Sequence, residues 1–228
     1  MAEAIDPLAE LYPYLSGKAG RPKELDPALA ESVRQKAADS VAVKERFFAA
    51  ETAELIAAAH ALAGVFRGGG RLFAMGNGGS SCDAAHIAVE FTHPVTVGRP
   101  ALAAVDLAAD TAMLTAVGND VGFRDIFVRQ LIAHSRPGDA VIGVSTSGNS
   151  ENIDAGFTAA KRLGLLTIAL SGGDGGMLAR SPAVDHCLNV PSDSIHRIQE
   201  CHVAIYHILW DLVHTILAES RGAAAAAR

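Results

Sequence analysis

The sequence predicts an α/β fold in which helices flank a five-stranded parallel sheet, with a helical extension at the N-terminus. Five short and nearly continuous apolar runs predict strands that are buried on both faces. Segments with helical spacing of apolar residues lie between the runs, and such strand–helix alternation is typical of a parallel sheet. Several runs end in turns rich in glycine or serine, as strands do where a βα loop follows.

The first third of the chain is predicted to be mostly helical. Residues 1–25 form a short lead that is broken by Pro7, Pro13, Gly20 and Pro22. One or two helices follow from about Pro27 to Phe66 and end at a run of three glycines. We expect this N-terminal lead and helical extension, residues 1–66, to belong to the same domain as the sheet region, residues 67–220. A low-complexity tail, residues 221–228, is expected to be disordered.

The predicted strands and helices then alternate along the chain. The predicted strands are residues 71–75, 101–107, 140–145, 165–171 and 186–191. The predicted helices are Ser80–Phe91, Ala109–Val117, Phe123–His134, Ser150–Leu163 and Ile195–Glu219.

Composition and charge exclude several classes of protein. The chain has 228 residues with 19 basic and 25 acidic side chains, a net charge of −6, which argues against nucleic acid as the main ligand. No apolar run is long enough to predict a membrane span. The acidic N-terminus is unlike a secretion signal, and three widely spaced cysteines are unlike a disulfide framework. We therefore expect a cytoplasmic protein.

Three polar loops follow predicted strands, at residues 76–80, 145–150 and 171–176. Ligands of parallel sheets bind outside the carboxyl ends of the strands, so these loops are the expected site. The loop at 145–150 combines hydroxyl groups with the N-terminus of a helix, which suits a phosphate. The hydroxyl groups belong to Ser145, Thr146, Ser147 and Ser150. Ser150 is equally suited to cap the following helix, and Walker-type and dinucleotide-binding glycine patterns are absent from the sequence.

Two predicted helices carry candidate metal ligands. His86 and Glu90 are four residues apart and so share a helix face. Gln199 and His207 lie broadly on one side of the last helix. Imidazole and carboxylate groups suit Zn²⁺ or a similar ion, but a His–Glu pair at this spacing also forms ordinary surface hydrogen bonds. Both interpretations stay open from the residues alone.

Four motifs in order make the sequence resemble the phosphoheptose isomerases of the SIS (sugar isomerase) domain family. They are GNGGSxxDAxHxAxE at 76–90, VGNDxGFxDIF at 117–127, GDxxxGxSTSGNSxN at 138–152 and RIQExHxxxxHxL at 197–209. The likeness extends from about residue 40 to residue 219. It implies an SIS-type three-layer sandwich and a homotetramer with active sites at subunit interfaces. The implied reaction converts sedoheptulose 7-phosphate to D-glycero-D-manno-heptose 7-phosphate, for heptose biosynthesis, through an enediol(ate) stabilised by one Zn²⁺ per subunit.

The resemblance also implies roles for individual residues. The implied metal ligands are His86, Glu90, Gln199 and His207, of which Glu90 and His207 also match the catalytic acid/base pair. The implied substrate-binding residues are Asn77, Gly78, Gly79, Glu90, Asn119, Asp120, Gln199 and the four phosphate-loop residues Ser145, Thr146, Ser147 and Ser150. The division of labour between the acid and the base stays open.

Two departures from the family pattern leave the identity of the sugar open. Pro94 stands where the isomerases carry a substrate-contacting arginine, and His196 stands where they tend to carry an acid. Arg99 or Arg124 is a candidate replacement for the missing cation. The alternatives are an isomerase of another phosphosugar, a sugar-phosphate-sensing domain without chemistry, and a non-catalytic regulator of replication initiation that binds the initiator protein DnaA.

Overall fold

The computed structural model describes the backbone of residues 25–226 and the side chains of residues 26–219. The broken lead predicted for residues 1–25 therefore lies, except for Leu25, outside the described residues. Contacts divide the chain into two units, residues 1–39 and residues 40–228. In the first unit, the described residues 25–39 are helical and almost all exposed. The second unit contains every strand described below and all of the candidate site.

The segment predicted to form one or two helices is one continuous helix, the first among the described residues. Helix α1 is Leu25–Arg67, and the three glycines at 68–70 follow its end as predicted. The strands are β1 (Leu72–Gly76), β2 (Ala104–Asp106), β3 (Ala140–Val144), β4 (Leu166–Gly172) and β5 (His186–Val190). The other α-helices are α2 (Gly79–Thr92), α3 (Thr111–Asp120), α4 (Ile126–His134), α5 (Glu151–Arg162) and α6 (Ile195–Ala226). Short 3₁₀ turns at Phe123–Asp125 and Leu178–Arg180 complete the described structure.

The five strands form one parallel sheet in the order β2-β1-β3-β4-β5, so the predicted fold class is confirmed. Strands β1 and β3 are buried at every position, because helices cover both faces of the sheet. One core cluster contains side chains of α1, α2 and α6, and the other contains side chains of α3, α4 and α5. This three-layer arrangement brings the loops after β1, β3 and β4 to one edge of the sheet.

Several elements differ in extent from the prediction. The helix predicted over Phe123–His134 begins as the 3₁₀ turn Phe123–Asp125, and only Ile126–His134 is α-helical. Strand β2 is shorter than residues 101–107, because the Leu102 N–H donates to Phe91 O at the end of α2 instead of pairing within the sheet. Helix α6 runs through Ala226 and so continues into the tail segment 221–228, where disorder was expected.

Within the described residues, two helices are long and apolar enough to cross a membrane, judged by length and composition alone: Asp26–Arg67 and Ile195–Glu219. Core helices of globular proteins pass the same test. Both helices contribute to the core of the sheet domain, α1 through residues such as Phe47 and Leu62, and α6 through residues such as Ile205 and Leu209. Burial in this core explains why each of the two helices carries apolar side chains.

Candidate active site

Helices α2 and α6 lie side by side and run in the same direction. The Tyr206 hydroxyl lies 2.8 Å from His86 Nδ1, and the Trp210 indole N–H donates to Glu90 O at 2.8 Å. At the start of α2, Gly79 lies against the side-chain amide of Gln199. The partners in each of these pairs are 120 positions apart in the sequence, so the two helices keep one register over about three turns.

This register brings three of the four predicted metal ligands together. Glu90 Oε1 lies 3.2 Å from His86 Nε2 and 4.0 Å from His207 Nε2. One ligand atom from each of the three residues lies within 4.8 Å of the others. His86 and Glu90 are partly buried, whereas His207 is exposed. We call His86, Glu90 and His207 the triad cluster.

The triad cluster fits a divalent cation of the zinc type. Zn²⁺ in a tetrahedral site with bonds of about 2.0–2.1 Å has ligand atoms about 3.4 Å apart. The two distances from Glu90 Oε1, 3.2 and 4.0 Å, bracket this value, so the spacing of the cluster is compatible with such an ion. Two imidazoles and one carboxylate are also a donor set that Zn²⁺ prefers.

Gln199, the fourth predicted ligand, lies at the other end of the helix pair. A Cβ built on Gly79 would lie 2.3 Å from Gln199 Nε2, which places the amide at the N-terminus of α2. His86 follows about two helical turns further along the same helix. The structure therefore places Gln199 between the triad cluster and the strand-end loops, and its role as a ligand stays a prediction.

Burial perturbs the pKa values of two groups near the triad cluster. Asp83 lies on α2 one turn before His86 and is only 8% exposed, and desolvation raises the pKa of its carboxyl to about 6 against a smaller opposing effect of His86. Burial also raises the pKa of the Tyr206 phenol, and the negative charges of Asp83 and Glu90 raise it further. The phenol is therefore neutral at physiological pH.

The predicted phosphate loop joins β3 to α5, and its hydroxyl groups differ in exposure and in hydrogen-bond partners. Ser145 Oγ and Ser150 Oγ lie 2.9 Å apart, and Ser145 is buried. Ser147 is exposed, and its Oγ accepts from the Asn149 N–H at 3.2 Å. Gly148 allows the turn, because its φ is +63° and a Cβ there would lie 2.1 Å from Gly175 O. The loop after β4 thus supports the phosphate loop from one side.

Ser150 was expected to be suited to cap α5, and the structure confirms its position but not a hydrogen bond from its side chain to the helix. Ser150 occupies the N-cap position, but its hydroxyl pairs with Ser145 and does not cap the helix. Because the Ser150 side chain does not cap α5, it leaves the first N–H groups of the helix to an anion. Asp154 in the first turn accepts from Ser181 Oγ at 2.8 Å, so its carboxylate is paired outside the phosphate loop.

A reciprocal amide pair joins the loop after β1 to α5. Asn77 Nδ2 donates to Asn152 Oδ1, Asn152 Nδ2 donates to Asn77 Oδ1, and both distances are 2.8 Å. Asn152 is almost fully buried. Sequence reasoning assigned a role to Asn77 but none to Asn152, although it stands in the quoted motif at 138–152. The pair fixes the distance between the glycine turn that begins α2 and the phosphate loop.

The remaining candidates lie apart from these groups or are engaged elsewhere. Asn119 and Asp120 are exposed at the end of α3, where Asn119 Nδ2 donates to Asp120 Oδ1 at 2.7 Å. The Arg99 guanidinium forms an ion pair with Asp211 and lies 4.7 Å from the Trp210 ring centroid. Arg124 is exposed and pairs with the neighbouring Asp125. Arg99 is thus held against α6 about one turn beyond His207, and a role of either arginine in replacing the missing cation stays a prediction.

Comparisons with known proteins agree with this geometry. The model of the SIS domain matches residues 37–172. A phosphoheptose isomerase from Chlorobium phaeovibrioides is 45% identical over 181 residues, covering 78% of this chain and 84% of the relative.

Two solved structures superpose over most of the chain. The phosphoheptose isomerase from Neisseria gonorrhoeae is 38% identical with a TM-score of 0.76, covering 82% of this chain and 99% of the other. A phosphoheptose isomerase from Francisella tularensis is 34% identical with a TM-score of 0.77, covering 82% and 98% respectively. The chain therefore belongs to the SIS domain family and, within it, to the phosphoheptose isomerases.

Proposed function

We propose that the chain is a zinc-dependent aldose–ketose isomerase that converts sedoheptulose 7-phosphate to D-glycero-D-manno-heptose 7-phosphate. One observation carries the proposal: His86 and Glu90 of the triad cluster lie on α2, and the turn that begins α2 is tied, through Asn77 and Asn152, to a phosphate-type loop. The phosphate loop suits the phosphate group of a sugar phosphate, and a cation held by the triad cluster would suit its carbonyl group. The names of the relatives support the substrate class.

The phosphate loop would hold the substrate at its unreactive end. Hydroxyl groups of Ser145, Thr146, Ser147 and Ser150, with the uncapped N-terminus of α5, would donate to the phosphate oxygens. Gln199 and the turn at Gly78-Gly79 lie between this loop and the triad cluster and would contact the sugar hydroxyls. Fixing the substrate at both ends orients C1 and C2 for proton transfer.

Isomerisation requires a proton to leave C1 of the ketose and a proton to reach C2, while O1 gives up its hydroxyl proton and O2 gains one. His86, Glu90 and His207 would hold the cation, with Gln199 as a fourth ligand. When bound, a divalent cation supplies a Lewis acid that polarises the carbonyl group. Glu90 and His207 are the acid/base pair: one would carry the carbon-bound proton, and the other would serve the oxygens or ring opening.

The decisive experiment is proton NMR of sedoheptulose 7-phosphate in D₂O with zinc-loaded enzyme. Solvent deuterium should enter the sugar at the carbon that exchanges its proton. Glu90→Gln should lower turnover by at least about 10²–10⁴-fold while phosphosugar binding persists. The matched control is Glu54→Gln, which removes a carboxylate that pairs with His186 on β5 and should leave turnover unchanged.

Four results would reject parts of the proposal. Full activity of Glu90→Gln would reject the assigned chemistry. Full activity after dialysis against a chelator would reject the metal. Preferential turnover of another ketose phosphate in a C5–C7 panel would reject sedoheptulose 7-phosphate as the substrate. Absence of any turnover, together with capture of the DnaA initiator, would favour the non-catalytic regulator of replication initiation.

The proposal includes a cytoplasmic homotetramer with one Zn²⁺ per subunit and active sites at subunit interfaces. Exposed apolar side chains on α1, such as Val41 and Ile56, support association between chains. Sedimentation velocity tests the assembly, because a monomer at micromolar concentration would reject it.

A further inference from the structure

Both ring nitrogens of His86 are engaged by groups on different helices. His86 Nε2 faces Glu90 Oε1 at 3.2 Å within α2, and His86 Nδ1 faces the Tyr206 hydroxyl on α6 at 2.8 Å. Tyr206 is only 2% exposed, so its hydroxyl cannot exchange this contact freely for water. The histidine ring is therefore held at one nitrogen and presents the other to the triad cluster.

A metal-binding imidazole must be neutral and must offer a bare nitrogen to the ion. If Nε2 is the ligand atom, the ring proton resides on Nδ1 and needs an acceptor. The Tyr206 oxygen is at the right distance to accept it. We infer that Tyr206 is a positioning residue that fixes the tautomer and the ring orientation of His86 for the divalent cation. This inference rests on the proposed function.

The tyrosine ring adds a second constraint. Its centroid lies 5.2 Å from that of His86 and 4.9 Å from that of His207, with interplanar angles of 74° and 76°. The side chain thus packs edge-on against both imidazoles of the triad cluster. A phenylalanine would keep these ring contacts and lose only the acceptor, which separates the hydrogen bond from the packing.

The test is the zinc dissociation constant of Tyr206→Phe, measured by competition with a chromophoric chelator. Loss of a partner to a metal-binding histidine typically weakens metal affinity by about 10–100-fold, and we expect a change in that range. The matched control is Thr167→Val on β4, which removes a fully buried hydroxyl that is hydrogen-bonded to Ala183 O and Asp185 Oδ2 and makes no contact with the triad cluster. It should leave the zinc dissociation constant unchanged. At saturating zinc, Tyr206→Phe should regain most of its turnover.

The outcomes separate this inference from the proposed function. Zinc affinity of Tyr206→Phe within twofold of the wild type would overturn the inference and leave the isomerase proposal intact. A wild-type protein that binds no zinc would overturn both.

A second measurement uses the wild type alone. In ¹⁵N-histidine NMR of the zinc-loaded protein, we expect a slowly exchanging His86 Nδ1–H signal. Zinc bound at Nδ1, or an Nδ1–H that exchanges as fast as that of an exposed histidine, would overturn the inference even if Tyr206→Phe does not fold.

Discussion

His202 should make the protein lose stability in mild acid. The side chain is fully buried on α6, and its Nε2–H donates to Ser171 O at the end of β4 at 2.9 Å. Among the described residues, its Nδ1 has no hydrogen-bond partner. Burial lowers the pKa of His202 from 6.5 to about 4, so the folded protein holds this histidine in its neutral form.

The sign of the effect follows from proton binding. Between pH 6.5 and pH 4 the unfolded chain takes up a proton that the folded chain does not, so acid favours unfolding. The full difference in pKa corresponds to roughly 3 kcal/mol, of which about 2 kcal/mol should be lost between pH 7 and pH 5. Above pH 7 His202 should contribute no pH dependence.

The assay compares wild type with His202→Gln, which keeps an N–H donor at a similar reach but does not titrate. The free energy of unfolding is measured by urea titration at pH 7 and pH 5, at one protein concentration and without zinc. The wild type should lose about 2 kcal/mol more than the variant over this interval. Equal losses in the two proteins would refute the reasoning.

Three further predictions concern the sheet edge and the triad cluster. Asp83 should give the wild type a pH dependence opposite in sign to that of His202. Because the carboxyl pKa is raised in the folded protein, the free energy of unfolding should fall as pH rises from about 4 to 6. Asp83→Asn should remove this fall, which the same urea titrations at a series of pH values would detect. Gly148→Ala should lower the free energy of unfolding by at least about 1–3 kcal/mol and weaken phosphosugar binding; a wild-type melting temperature would contradict it. Asn152→Ala should leave the Asn77 amide unpaired and raise KM in steady-state kinetics, whereas an unchanged KM would exclude a role for the pair.

Much of the fold could be predicted because its determinants are local. Buried parallel strands need continuous apolar runs, and all five runs are strands in the structure. The exception is instructive: residues 101–103 read as strand, but the backbone of Leu102 bonds to the end of α2, and apolar content alone cannot reveal that competition. The extent of α6 was also missed, since a run of alanines propagates a helix that already exists.

The candidate site was predictable only where residue type is diagnostic. His86, Glu90 and His207 stand out as ligand types at suitable spacing, and the structure brings them together. Tyr206, Trp210 and Asn152 gave no such signal, because aromatic and amide side chains are common in cores and turns. Their roles arise from contacts across 120 or 75 positions, which only the packed fold defines.

The shared register of α2 and α6 restricts which length changes the chain can tolerate. A single residue inserted between Gln199 and Tyr206 would rotate everything beyond it by about 100° and shift it by about 1.5 Å. Tyr206, His207 and Trp210 would then all lose their present partners at once, while Gln199 stayed beside Gly79. A substitution changes one of these contacts at a time, but an insertion or deletion within this part of α6 would disrupt the contacts around the triad cluster as a unit.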